Sequence, residues 1–307
     1  MFDRTRCRYC GATDRSRFKN VSHMFPEALG NKWLISLDEC DACNQLFGRY
    51  DDALSKVAGP ILTIGGTKGK GNSVRKTGAS NGPIRIRQEL IDGKRRLSIR
   101  VDGHNAFDLA TVDPISGKMR LRVPTPPERF SPALAYAAIV KMGIALLPTE
   151  ELRHFGRLLA WLRAPAASAP GPLTLGLSLG SLGNAPRLAS AALLKRTPGA
   201  PDNAPYMIFI VSAGSLCFQL PLKSDDFDGP WPSQTTAHCA LEWSNVLSDG
   251  KGSAPIAIRY GRPVELDWSA AEPALSPITA LVLDFDPLTS NASWSAEFGN
   301  LTTEARS

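Results

Sequence analysis

Four cysteines and one histidine stand close together near the start of the chain. Cys7-Arg8-Tyr9-Cys10 is followed by Gly11, and Cys40-Asp41-Ala42-Cys43 comes after 29 intervening residues. A two-residue gap lets both sulfurs of a pair grip one ion from a tight turn. Four thiolates satisfy a tetrahedral Zn2+ completely, which makes a closed, structural site. The glycine after the first knuckle supplies the positive φ with which the chain turns away. A redox CxxC is the competing reading, but it needs only one pair and a βαβ setting. Between the knuckles runs Val21-Ser22-His23-Met24-Phe25-Pro26-Glu27-Ala28-Leu29-Gly30-Asn31, and Asn44 directly follows the second knuckle. Histidine titrates near neutrality and can take a proton from water. The amide oxygen of Asn44 is a neutral hard ligand for a cation, and Asn is equally suited to cap a helix. An activated water beside a bound cation is what phosphodiester hydrolysis requires.

The pattern CxxC…SHxxPxALGN…CxxCNxxFG resembles the zinc-stapled subgroup of HNH endonucleases, over roughly the first 55 residues. The resemblance implies an N-terminal treble-clef, ββα-metal finger. It implies His23 as general base, Asn44 as a ligand of a catalytic Mg2+ or Mn2+, and Asn31 as the middle Asn that orients the base. Cys7, Cys10, Cys40 and Cys43 would hold the structural Zn2+. The family commonly has an acidic residue just before the catalytic His. Here that position is Ser22, so Glu27, Asp51 and Asp52 are the candidate replacements. The implied activity is metal-dependent cleavage of DNA, in a setting such as restriction or anti-phage defence with the partner proteins of such a system. A degenerate, non-catalytic zinc finger that binds nucleic acid is the alternative, favoured by Ser22.

Charge follows the same segment. The 307-residue chain has a net charge of +6 and a pI near 9.1. Residues 1–125 hold 22 Lys and Arg against 13 Asp and Glu, a net of +9, while the remainder is −3. A basic balance of this kind favours a polyanion partner, and its position assigns nucleic acid to the first two-fifths of the chain. Lys68, Lys70, Arg75 and Lys76 lie in a Gly-rich stretch, and Arg85 and Arg87 alternate onto one face of a basic strand. These six are the expected contacts to the phosphate backbone. The run GTKGKG also has some character of a nucleotide loop, but Asn72 stands where a Ser or Thr hydroxyl would hold Mg2+. A solvated linker is the third reading of that stretch.

The elements that must position these groups read as an α+β chain. Residues 1–60 form the zinc domain, with a helix from Asp41 closing at Gly59-Pro60. Residues 61–125 carry a mobile Gly-rich loop (65–82) and two hairpins, Ile84–Leu90 with Arg96–Val101 and Phe107–Val112 with Met119–Val123. Residues 126–165 form a helical pair, the first capped by Ser131 with Pro132 behind it and the second capped by Thr149. Residues 166–307 form a β-rich region with a linker at 164–187, strands at 206–213, 216–222, 255–260, 264–268 and 278–285, and a disordered tail. Cys217 and Cys239 are expected in packing roles. With 43% apolar residues, no run near the roughly 18 a spanning helix needs and no apolar leader, the expected compartment is the cytoplasm, away from membranes. The oligomeric state is left open.

Overall fold

The computed structural model describes residues 6–91, 94–103, 109–115, 117, 119–165, 175–179, 189–200, 204–213, 216–228, 267–276 and 279–285. Its N-terminal unit is a two-residue antiparallel hairpin, β1 (Ser22–His23) with β2 (Ile35–Ser36), followed by helix α1 (Asp41–Ile64). This is the expected ββα order. Two residues per strand cannot hold a hairpin in water, so the surroundings must hold it.

Helix α1 runs past Pro60 instead of ending there. A proline inside a helix costs about 3 kcal/mol. Here Val57, Ala58, Ile61 and Leu62 are all buried around it, and that burial offsets the lost backbone bond. They pack on α2 (Pro132–Leu146), which is buried on almost every face. The Ser131 side chain accepts from Leu134 N, so the expected cap is present. The second helix of the expected pair divides into a 3-10 turn, Thr149–Phe155, and a short α3, Gly156–Leu162. Thr149 does not cap it. The Asp225 carboxylate instead accepts from Arg157 N at the start of α3.

The basic ribbon is β3 (Ile84–Ile91) paired with β4 (Lys94–Val101), whose expected turn at Asp92-Gly93 lies outside the described residues. Next come β5 (Ala110–Val112) and β6 (Met119–Pro124), which β13 (Ala280–Phe285) extends into three strands. Short β7 (Arg129–Phe130) pairs with β12 (Ala274–Leu275). The linker expected at 164–187 contains a strand, β8 (Gly176–Leu179), on the edge of an antiparallel sheet. That sheet has the order β8, β11 (Leu216–Leu222), β10 (Met207–Ala213), β9 (Ser190–Lys195). The expected strand at 255–260 and the tail lie outside the described residues, as do His104 and Cys239. Trp268, expected at the end of a strand, sits in a turn and packs its ring on Phe130. One apolar cluster spans α1, α2, α3 and the four-stranded sheet, and includes Tyr9, Phe25 and Phe47 of the finger. Among the described residues no helix is long and apolar enough to cross a membrane.

Candidate active site

The four cysteine sulfurs lie within 4.8 Å of one another, with Cys7 Sγ to Cys43 Sγ at 3.8 Å and Cys10 Sγ to Cys40 Sγ at 3.6 Å. Zinc–sulfur bonds of about 2.3 Å in a tetrahedron place sulfurs near that separation, so the donor set fits Zn2+. Cys40 N donates to Cys7 Sγ at 3.5 Å, a backbone bond of the kind that steadies a thiolate. The hydrogen bond shared by the Cys7 and Cys43 sulfurs holds Cys7 down at about 4 and pushes Cys43 up. Among the described residues this is the one group of three or more Cys, His, Asp or Glu gathered closely enough for a metal ion.

The first knuckle is also bolted to α2. Arg8 donates to the carbonyls of Ile144, Ala145 and Leu147 at the C-terminal end of that helix and pairs with Asp38 at 2.6 Å. A cation at a helix C-terminus satisfies orphan carbonyls and complements the helix dipole.

His23 is held from below by a cation that the sequence does not single out. Lys141, in α2, donates to the carbonyls of His23 and Met24 and pairs with Glu39 at 3.2 Å. Both side chains are buried, at 2% and 0% exposure. Burial pushes the Glu39 carboxyl up to about 7 even with Lys141 opposing it. Asp51 shares this interior: its Oδ1 is buried and burial raises the carboxyl to about 6, again against Lys141. Lys141→Met is therefore expected to cost about 3–5 kcal/mol of unfolding free energy, because it strands a buried carboxylate. A raised native pKa means that the folded state binds the extra proton between the unfolded value and about 7. Stability from this group is thus lost as pH rises through 7, and the Lys141→Met deficit should be larger at pH 8 than at pH 6. Urea melts of the variant and of Lys141→Met/Glu39→Gln, which should recover most of the loss, test this.

The loop after β1 is fixed by Asn31. Its buried amide donates to the carbonyls of Phe25 and Leu34, both at 2.9 Å. Its oxygen accepts from Trp33 N and Leu34 N at 3.2 and 2.9 Å. All of these partners are backbone, so Asn31 is a positioning residue for the segment that carries His23. Gly30 closes the 3-10 turn Glu27–Leu29 at φ 87°, and a Cβ there would lie 3.0 Å from Thr67 Cγ2. Gly69 also lies against this turn, since a Cβ there would lie 3.4 Å from the Glu27 carbonyl. Lys32 Nζ donates to the Gly69 carbonyl. The Gly-rich stretch, expected to be mobile, is therefore a loop seated on the segment after His23, with its own short turn at Lys70–Asn72 and a bridge from Lys68 to Val74.

The ring of His23 is half-buried. Its Nε2 lies 3.8 Å from Glu27 Oε1, and its Nδ1 is buried with no hydrogen-bond partner. Glu27 also lies 3.9 Å from Lys32 Nζ. Of the three candidate carboxylates, Glu27 is the one the fold brings to His23. Asp51 turns toward Lys141 and Asp52 is exposed. The Ser22 hydroxyl is buried and unpartnered, turned away from the face that carries His23. Asn44, in the first turn of α1, lines an open depression with Arg17, Lys19 and Asn20. Arg17 and Lys19 were not among the expected contacts. Their only sequence signal is that they follow the first knuckle within a turn or two.

The six expected phosphate contacts differ in their commitments. Arg75 lies across Gly59 of α1 and donates to Ser55 Oγ at 2.7 Å, and Arg85 bonds both carboxylate oxygens of Asp102. Lys70 and Lys76 are exposed, and Lys68 and Arg87 half-exposed. The ribbon alternates as expected: Ile86 is fully buried between Arg85 and Arg87, and Gln88 donates to the last carbonyl of α1. His154, outside the finger, pairs with Asp226.

These features define a zinc-stapled ββα finger presenting one histidine beside a carboxylate. Residues 7–57 match the family model described as HNH endonuclease. No curated protein and no solved structure matches the chain. Residues 7–57 thus form an HNH endonuclease domain by family resemblance, the class from which nuclease action on nucleic acid is proposed below.

Proposed function

We propose that the protein is a metal-dependent endonuclease that hydrolyses phosphodiester bonds in DNA, with His23 as the general base. The observation that carries this reading is the His23–Glu27 pair, presented beside a hairpin that the cysteine cluster, Asn31 and Lys141 flank. His23 accepts the proton of the attacking water, and the Glu27 carboxylate stabilises the imidazolium that results. Glu27 and Asn44 are oxygen donors of the kind Mg2+ prefers. One carboxylate suffices for an ion that keeps several waters and binds the substrate phosphate as well. When bound, the cation would neutralise charge on the scissile phosphate and on the departing 3′ oxygen. The products would carry 5′-phosphate and 3′-hydroxyl ends.

Lys68 and Lys70 sit on the loop that packs against Glu27 and Ala28, so a backbone crossing His23 passes them. Their double alanine variant should weaken DNA binding for all sequences alike. It should flatten the slope of log K against log salt by roughly 0.9 for each phosphate the lysines no longer neutralise. Anisotropy titrations across a salt series measure it, and an unchanged slope would remove both lysines from the interface.

A second reading, a finger that binds nucleic acid without cutting it, draws on the inward-turned Ser22. Plasmid nicking with Mg2+ or Mn2+ decides between the two. Cleavage that needs added metal supports the nuclease, and binding without any cleavage supports the second reading. A role in restriction or anti-phage defence belongs to the same proposal, and phage plating on cells with and without an active protein tests it.

A further inference from the structure

The hairpin that carries His23 has two chemically distinct faces. Ser22 and Ser36 are paired across it and are buried at 1% and 3%. His23 is paired with Ile35, Val21 directly precedes β1, and Trp33 lies in the bend that leads into β2. Val21 is 64% exposed, Trp33 67% and Ile35 38%, and Leu34 beside them is 40% exposed. Half of the eight exposed large apolar side chains among the described residues therefore fall on this one short hairpin. Exposed apolar residues scattered singly need no explanation, but a contiguous patch does.

Two further observations say what covers it. The backbone that carries the indole is held in place: Asn31 Oδ1 accepts from Trp33 N and Leu34 N, and Leu34 O in turn accepts from Met24 N. Cations lie on the adjoining segment: Lys32 precedes Trp33 in the chain and donates to the Gly69 carbonyl, and the Lys68–Lys70 loop packs on Glu27 and Ala28. A protein partner seated on Val21, Trp33 and Ile35 would also cover His23. A nucleic acid seated there would instead bring its phosphates to the histidine and the lysines.

Resting on the nuclease reading, we propose that Trp33 is a stacking platform for an unpaired nucleobase and that the substrate presents a single-stranded element at the cut. A base inside a duplex has both faces occupied by its neighbours. An exposed indole on a held backbone suits a base whose face is open. Val21 and Ile35 would flank that base or its sugar, and the chain beyond it would run past His23.

The test is binding, kept separate from cleavage. Fluorescein-labelled 20-mers, one single-stranded and one a blunt duplex, are titrated by anisotropy without added Mg2+ or Mn2+, using the wild type, Trp33→Ala and Trp33→Phe. Trp33→Ala should weaken single-strand binding by roughly 5- to 150-fold, with the salt slope unchanged. Trp33→Phe should restore most of it, and blunt-duplex binding should change little. Equal binding of the single strand by wild type and Trp33→Ala overturns the proposal, even if the enzyme cleaves. An equal loss on both probes also overturns it and makes Trp33 a general duplex contact. So does a wild type that is dimeric by light scattering and that Trp33→Ala turns into a monomer, since the patch is then a protein interface. A Trp33-dependent single-strand complex with no cleavage in Mg2+ or Mn2+ upholds the platform and removes the nuclease reading instead.

Discussion

His23→Ala should lower metal-dependent plasmid nicking by roughly 100- to 10,000-fold, the range a positioned general base contributes. DNA affinity should stay within a few-fold of wild type, because the phosphate contacts lie on other residues. The fold should also survive, since what Lys141 holds is the His23 carbonyl, and alanine keeps that carbonyl. Glu27→Gln separates two roles that the geometry leaves together. If the carboxylate mainly steadies the imidazolium, the amide lowers the rate at every Mg2+ concentration. If it mainly holds the cation, the amide raises the Mg2+ concentration needed for half-maximal rate. Ser22→Asp places a carboxylate on the inner face of the hairpin, where the hydroxyl is buried and unpartnered. It is therefore expected to lower stability and not to raise activity. Retained cleavage by purified His23→Ala would remove the histidine from the reaction.

The residues of this site differ in how readable they are in the sequence. The cysteine spacing, His23 and the helix opened by the second knuckle are local features, and the fold places them as the pattern implies. The inward turn of Ser22 and the outward turn of His23 also follow from strand alternation, once the hairpin is granted. Asn31 is legible as a residue and not as a role. Its four bonds are all to backbone within six positions, and an amide that turns a loop leaves no periodicity. Lys141 is not legible at all. It sits 118 residues beyond His23, inside a helix that otherwise reads as plain apolar core. A single lysine in such a run has no pattern that names its partners. Pro60 misleads for a related reason: local propensity ends α1 there, and burial against α2, a term that depends on distant residues, carries it on. What remained hidden was therefore the way α2 completes the finger.

Removing the zinc site should have the largest effect on stability. Residues 7–40 contain two strands of two residues each and short 3-10 turns, and such a segment cannot order itself through its own backbone bonds. Structural zinc in small fingers contributes an apparent 10–16 kcal/mol at neutral pH, about as much as a whole domain's stability. Three anchors persist without the metal: Arg8 on the end of α2 and on Asp38, Tyr9 OH donating to the Lys141 carbonyl, and Lys141 on the His23 and Met24 carbonyls and on Glu39. They tie both knuckles and the hairpin to α2 through single polar contacts, but none of them replaces the four-way link that a metal held by Cys7, Cys10, Cys40 and Cys43 would make. Cys40→Ser, or wild type treated with a strong chelator, should therefore lose the hairpin and all cleavage while α1 and α2 keep their packing. Far-UV circular dichroism would retain most of its helical signal. Hydrogen exchange over residues 7–40 should rise to unprotected rates, and elemental analysis should fall from about one zinc per chain to none. A zinc-free protein with the hairpin still protected would show that Arg8, Tyr9 and Lys141 are enough to hold the finger. The four cysteines would then need another explanation.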